Sequence, residues 1–212
     1  LIITKLLFNV SIKTTDSILV QTKTMKKIVE SKLDNVVIMQ EEIWGNFNKD
    51  LYKSIMNLNK ISDFKLIRYI KKISNKNILF FYPALYGAHK NHNNLLEAFF
   101  LISKLSLKPY KVLLTISKNQ IISRKFRNLS NIIFLERTSY MDVLNIYKFV
   151  DFLVYPSFSE SYGLPLVEGE VFKKKIIAAD LKYVYDVCNP FLVFDPNSPQ
   201  DISFKLISIL KK

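Results

Sequence analysis

The sequence predicts an α/β protein built on a doubly wound, Rossmann-like parallel sheet, and three observations carry that expectation. From Asn77 onward, short apolar runs alternate with stretches of helical period. The strongest run, NILFFYP at Asn77–Pro83, is apolar throughout rather than alternating, as a strand covered on both faces is. The segments between runs have the length that a crossover between parallel strands requires. In such folds ligands bind beyond the carboxyl ends of the strands.

Taken in order, Leu1–Ile12 has spaced apolar residues that suit the end of a helix. Ser17–Gln21 reads as a short buried strand. Thr22 or Thr24 is placed to cap a helix over Met25–Ser31, and Val36–Met39 reads as another strand. Residues 41–76, with Trp44-Gly45 and many Asn and Lys, read as an interdomain linker with an embellishment, or as a helical hairpin. One helix-like run lies around Phe64–Ile73.

After the Asn77–Pro83 strand, a loop leads into a helix over Asn93–Ser103, with Asn91, Asn93 or Asn94 as its cap and Leu95, Leu96, Phe99 and Ile102 inward. Val112–Ile116 and Ile132–Leu135 are the next strands, joined by a basic helical connection at Gln120–Leu129. Ser139 caps a helix to Val150, with Val143, Leu144 and Tyr147 inward. Phe152–Tyr155 and Lys175–Ala179 are strands, Val184–Cys188 a short helix or turn, and Phe191–Phe194 the last strand. Ser198-Pro199 opens a final helix to Leu210.

Composition removes several function classes. Of 212 residues, 49% are hydrophobic and 23% charged, so the chain buries a core. The single cysteine, Cys188, forbids an internal disulfide and suits a reducing compartment. One Cys and two His make a Cys-His zinc site untenable. No apolar run is long enough to span a membrane, and no signal-peptide pattern stands out. The formal charge of +13 comes mostly from scattered Lys, which suits solvated faces better than a nucleic-acid stripe. No specific nucleic-acid partner is expected, while peripheral contact with anionic lipid at the inner face of the membrane suits the charge of a cytoplasmic protein. With four Gly and no G-x-G-x-x-G, a dinucleotide oxidoreductase is disfavoured.

The chemistry concentrates in VYPSFSESYGLPLVEG, Val154–Gly169. Pro156 stops a strand, Gly163 marks a turn, and Pro165 suits the first turn of a helix. The N–H groups at such a junction are free to hold a phosphate. Glu160 in the loop and Glu168 about one turn into the helix each offer two oxygens to vicinal hydroxyls. Phosphate and diols together point to a nucleotide sugar. Helix-dipole complementarity is the plainer account of Glu168, and turn geometry that of Gly163. Lys90, after the Asn77–Pro83 strand, is on the same sheet edge and can meet a diphosphate as a point charge. His89 is a candidate for the sugar or diphosphate, and His92 reads as a surface residue.

PSFSESYGLPLVEG resembles the E-x7-E region of the group 1 (family 4) retaining glycosyltransferases of the GT-B fold, and YPALYGAHKNHNNLLEAF resembles one branch of them. The resemblance extends through IIAADLKYVYDVC and FDP, and more weakly to DSILVQT. It implies that residues 77–212 form the nucleotide-sugar-binding C-terminal domain and residues 1–40 the tail of the N-terminal one. Glu168 would accept from the ribose, and Glu160 from the transferred sugar, acting in catalysis with Lys90 and His89. Ser161 and the N–H groups of Tyr162 and Gly163 would hold the donor. Two departures stand out. Ala84 replaces the family's second cation, for which Arg137 is a substitute, and Lys173–Lys175 replaces a small residue, Gly and Pro.

No D-x-D occurs, so no metal or other cofactor is expected, and Lys90 and the helix N-terminus would stabilise the leaving group. The acceptor implied is a glycan or a lipid-linked one, in glycan or surface polysaccharide synthesis. Leu1 in place of Met, and a stop just after a helix, give the expectation of a fragment that holds donor without transferring it. Alternatives are a noncatalytic donor-binding subunit of a two-chain transferase and a GT-B-fold sugar-nucleotide epimerase. A basic RNA-binding α/β protein would explain the charge but not the paired carboxylates.

Overall fold

The computed structural model describes residues 15–31, 36–39 and 63–211. The expected helix at Leu1–Ile12 and most of the 41–76 segment lie outside them. Strands β1 (Ser17–Val20) and β2 (Val36–Met39) pair in parallel as a small sheet, joined by helix α1 (Lys23–Glu30), which Thr22 caps through Met25 N–H. The expectation that Ser17–Gln21 is buried does not hold. Leu19 is 53% exposed and only Val20 is enclosed, because the sheet has two strands and little covers its outer side among the described residues.

The main sheet contains β3 (Ile78–Tyr82), β4 (Tyr110–Leu114), β5 (Ile132–Phe134), β6 (Phe152–Tyr155), β7 (Lys175–Ala179) and β8 (Leu192–Phe194). Its order is β5-β4-β3-β6-β7-β8, parallel at every pairing. The order reverses between β3 and β6, so the crevice that doubly wound folds use for ligands lies there. The helices are α2 (Phe64–Ser74), α3 (His92–Ile102), α4 (Arg124–Arg127), α5 (Tyr140–Tyr147), α6 (Leu164–Val171), α7 (Lys182–Tyr185) and α8 (Pro199–Leu210).

Successive residues of a strand face opposite sides of a sheet, and β3 shows how this builds two helix layers. Phe80 packs on Phe99 of α3 and stacks on Phe152 at 5.3 Å. Its neighbour Phe81 meets Tyr147 of α5 edge-on at 5.2 Å. Helix α3 also packs against α4 and α8, while α2 packs against α5 and sends Ile67 and Ile70 into the core. Burying a large aromatic is worth about 3 kcal/mol, so this central strand anchors the domain.

Three elements differ from expectation. The Gln120–Leu129 connection is not one helix. A capping box between Ser117 and Gln120 closes a 3-10 turn at Lys118–Gln120, and α4 starts afresh after Ser123. Helix α5 ends at Tyr147, short of Val150, and α7 begins earlier than expected, at Lys182.

The lysine run closes α6 in an orderly way. Lys173 N–H donates to Glu170 O at 2.9 Å and Lys174 N–H to Gly169 O at 2.8 Å, the Schellman pattern, with Lys173 at φ 53°. That left-handed position favours glycine. Lys173→Gly is expected to stabilise the chain by about 0.5–1 kcal/mol, since relief of the backbone penalty outweighs the added freedom of the unfolded chain. Urea unfolding of the two proteins checks it, and a lower midpoint for the glycine variant would contradict it.

Candidate functional site

The site is built by two loops, each leaving the carboxyl end of one of the two strands that flank the reversal. After β3 the chain makes a 3-10 turn at Ala88–Lys90, and Asn91, at φ 57°, reverses it into α3. Asn91 stands at the N-cap position, but its side chain does not cap the helix. Its buried amide donates to Pro156 O at 3.0 Å and to Pro196 O at 2.7 Å, which ties the β3 loop to the turns after β6 and β8. Phe158 N–H donates to His89 O at 2.8 Å, a further link between the first two loops.

Two buried tyrosines complete the framework. The Tyr82 hydroxyl donates to Lys90 O and accepts from the Ser157 hydroxyl, both at 2.8 Å. Tyr183 donates to Ser157 O at 2.7 Å. Burial above all raises the pKa of both phenols, so each stays a neutral donor.

This framework presents Lys90 to Glu160. The ammonium lies 2.7 and 2.8 Å from the two carboxylate oxygens, in a pair whose side chains are 20% and 10% exposed. The pair lines a cavity of about 330 Å³ together with Ser161, Tyr162, Gly163 and Ala84. Gly163 sits at φ 83°, and a Cβ there would come within 3.2 Å of Leu166 and 3.4 Å of the Tyr155 hydroxyl. Turn geometry therefore accounts for this glycine. No side chain caps α6, whose first turn starts at Leu164-Pro165 against the same cavity. Its end is open to an anion.

The remaining expected residues are placed differently. Glu168 does not line the cavity. It is the fifth residue of α6, beyond the first turn, so the helix dipole does not explain it. It is 3% exposed and lies beside the phenols of Tyr140 and Tyr147, the latter of which donates to Pro165 O at 3.2 Å. Burial raises its pKa, and the two phenols oppose that rise. His89 is exposed and contributes its carbonyl to the loop junction. Arg137 follows β5 at the sheet's far edge, exposed and outside the cavity lining.

His92, expected at the surface, is buried against the rings of Tyr82 and Tyr86. Its pKa is lowered to about 4, first by burial and then by Lys90, while the backbone at Ala84 works the other way. Neither ring nitrogen has a well-formed hydrogen bond among the described residues. Gln21, just beyond β1, also lines the cavity, with a buried side-chain oxygen that lacks a partner. Sequence reasoning missed Gln21, Asn91, Ser157 and the tyrosines as parts of the site. The tyrosines at the ends of β3 and β6, Tyr82 and Tyr155, were the available signal. Among the described residues no three His, Cys, Asp or Glu side chains converge as a metal site would need.

The raised pKa of Glu168 carries a stability prediction. The folded protein favours the protonated form, so stability contributed by this group is full below the unfolded value of 4.5 and declines as pH rises through the higher folded value. Glu168→Gln, which cannot ionise, is expected to melt above the wild type at neutral pH and level with it in acid. A variant that melts below the wild type at neutral pH would contradict this account.

Comparison with known proteins agrees with the architecture. A family model described as "Glycosyl transferases group 1" matches residues 63–212. The uncharacterized glycosyltransferase MJ1178 of Methanocaldococcus jannaschii is 34% identical over 87 residues, which are 39% of this chain and 24% of that protein. The crystal structure of Anabaena Alr3699/HepE in complex with UDP and glucose superposes with a TM-score of 0.68 at 12% identity, covering 96% of this chain and 56% of that one. The C-terminal domain of the glycosyl transferase group 1 family protein LpcC from Francisella tularensis gives 0.54 at 18% identity, covering 73% and 86%. Sucrose-phosphate synthase from Thermosynechococcus elongatus gives 0.65 at 13% identity, covering 93% and 50%. The chain thus spans about half the length of the first and third of these structures. With the family match running through both site loops, the chain belongs to the group 1 glycosyl transferases.

Proposed function

We propose that this chain is the donor-binding part of a retaining glycosyltransferase that moves a sugar from a nucleoside diphosphate to a glycan or lipid-linked acceptor, as in surface polysaccharide synthesis. The observation that carries the reading is the Lys90–Glu160 pair, held at the strand-order reversal beside the uncapped end of α6. Cation and helix end suit a diphosphate, and the carboxylate beside them suits sugar hydroxyls.

On donor binding, Lys90 turns from Glu160 to the diphosphate, and Glu160 accepts from the sugar. The ribose hydroxyls reach Glu168 by taking the place of Tyr140, whose ring is half exposed, while Tyr147 stays buried beside the carboxylate. In the transfer step the bond between the anomeric carbon and the diphosphate oxygen breaks, and its electron pair leaves with the phosphate. The acceptor oxygen bonds to the same face of the sugar, and its proton passes to the departing phosphate oxygen. Lys90 and the α6 N–H groups balance the charge that develops, without a metal ion.

Titration calorimetry with uridine, guanosine and adenosine diphosphates in excess chelator tests the reading. Heat is expected from at least one of them without added metal, and from its sugar ester as well. A folded chain that gives heat only once magnesium or manganese is supplied would overturn the metal-free mechanism. No heat under either condition would overturn the site.

A further inference from the structure

The larger of the cavities described, about 670 Å³, opens at the opposite edge of the sheet. There the first residues of β3, β6, β7 and β8 meet the end of α8, about 15 Å from the donor loops by the length of the strands. Its volume is in the range of small-molecule sites. Nothing in the proposed transfer reaction uses it.

Its lining is unusual for the foot of a parallel sheet. Lys173, Lys174 and Lys175 all contribute to it. Lys173 stands in the left-handed turn that closes α6, Lys174 follows it, and Lys175 opens β7. The Lys175 ammonium stands 4.8 Å from the centre of the Phe191 ring and 5.9 Å from that of Phe152. Lys174 is half-buried, and burial lowers its pKa while the Asp151 carboxylate works against that. Asp151 is the one acid of the lining, and its Oδ2 already accepts Leu79 N–H at 2.8 Å.

The cavity thus brings three lysines, one engaged carboxylate and the Phe191 ring into one lining. We infer that it is a second binding site, separate from the donor site, for a phosphate monoester with an apolar body. Ammonium groups meet phosphate as point charges, and the half-exposed Phe191 ring offers the organic part a surface. A soluble phosphate ester and the headgroup of an anionic lipid share this chemistry.

The test uses the whole chain and phenyl phosphate, followed by calorimetry and by chemical-shift changes in the protein. Saturable binding is expected, weakened about tenfold or more in Lys174→Ser/Lys175→Ser by the loss of two charged contacts. Lys174→Arg/Lys175→Arg, which keeps the charge, should stay within a few-fold of wild type. This also guards against a serine variant that folds poorly. Lys71→Ser/Lys72→Ser removes two exposed charges from α2 and should change nothing. Flotation with phosphatidylcholine vesicles, alone or with one-fifth phosphatidic acid, separates the two sources. Retention by the acidic vesicles that phenyl phosphate reverses, and that Lys174→Ser/Lys175→Ser abolishes, assigns a lipid headgroup. Phenyl phosphate binding without vesicle retention assigns a soluble ester. Absence of saturable binding would overturn the inference. So would equal losses in the two serine pairs, or losses with arginine as large as with serine.

Discussion

Asn91→Ala is expected to cost the chain about 3 kcal/mol of folding stability and to abolish tight nucleotide binding with it. The Pro156 carbonyl would lose its buried donor and the Pro196 carbonyl one of two, Asn94 being the other, at about 1 kcal/mol apiece, and alanine would hold the left-handed backbone at about 1 kcal/mol more. Asn91→Gly isolates the two contributions. It loses the same hydrogen bonds but accepts the backbone, so it should cost about 2 kcal/mol. Urea unfolding measures both variants. Equal stability of alanine and wild type would show that the tie between the loops is dispensable.

Lys90→Ala is expected to weaken nucleoside diphosphate binding by about 1.5–3 kcal/mol, the usual worth of a hydrogen bond to a charged group. It should also destabilise the unliganded chain, because Glu160 would keep a largely enclosed carboxylate without its partner. The double variant Lys90→Ala/Glu160→Ala removes both charges and should recover much of that stability while still binding nucleotide poorly. The two readouts therefore move apart, and calorimetry beside thermal melting distinguishes them. Unchanged affinity in the single variant would remove Lys90 from the diphosphate site.

Much of this architecture was legible in the sequence, for identifiable reasons. The run at Asn77–Pro83 is apolar on both faces because Phe80 and Phe81 serve opposite helix layers, so its parallel, central position followed from composition. Pro156, Gly163 and Pro165 fixed the strand–loop–helix junction through backbone chemistry, which is local and therefore readable. Lys90 and Glu160 could be assigned to one edge from the order of elements alone.

What escaped depends on contacts distant in the chain. Asn91 looked like a helix cap because Asn commonly is one, yet its partners are the Pro156 and Pro196 carbonyls. His92 looked like a surface residue because a lone His usually is, and only the packing of Tyr82 and Tyr86 encloses it. Glu168 was read beside Glu160, but the phenols packed beside it come from α5. Ser17–Gln21 was read as buried because its middle residues are apolar, although among the described residues its sheet has two strands and leaves Leu19 half exposed.

The loop tie has one more consequence. Lys90 and Glu160 are 70 residues apart, and Asn91 reaches 65 and 105 residues along the chain to its two partners. No contiguous peptide contains the site, and none of it exists until β3 and β6 have paired. Such long-range closures are slow steps in folding. Occupancy and folding are therefore one linked equilibrium. A ligand at a hundredfold excess over its dissociation constant adds about 2.7 kcal/mol to the unfolding free energy of the whole domain. The melting temperature of the chain is for that reason itself a ligand screen, one that needs neither an acceptor nor knowledge of the sugar.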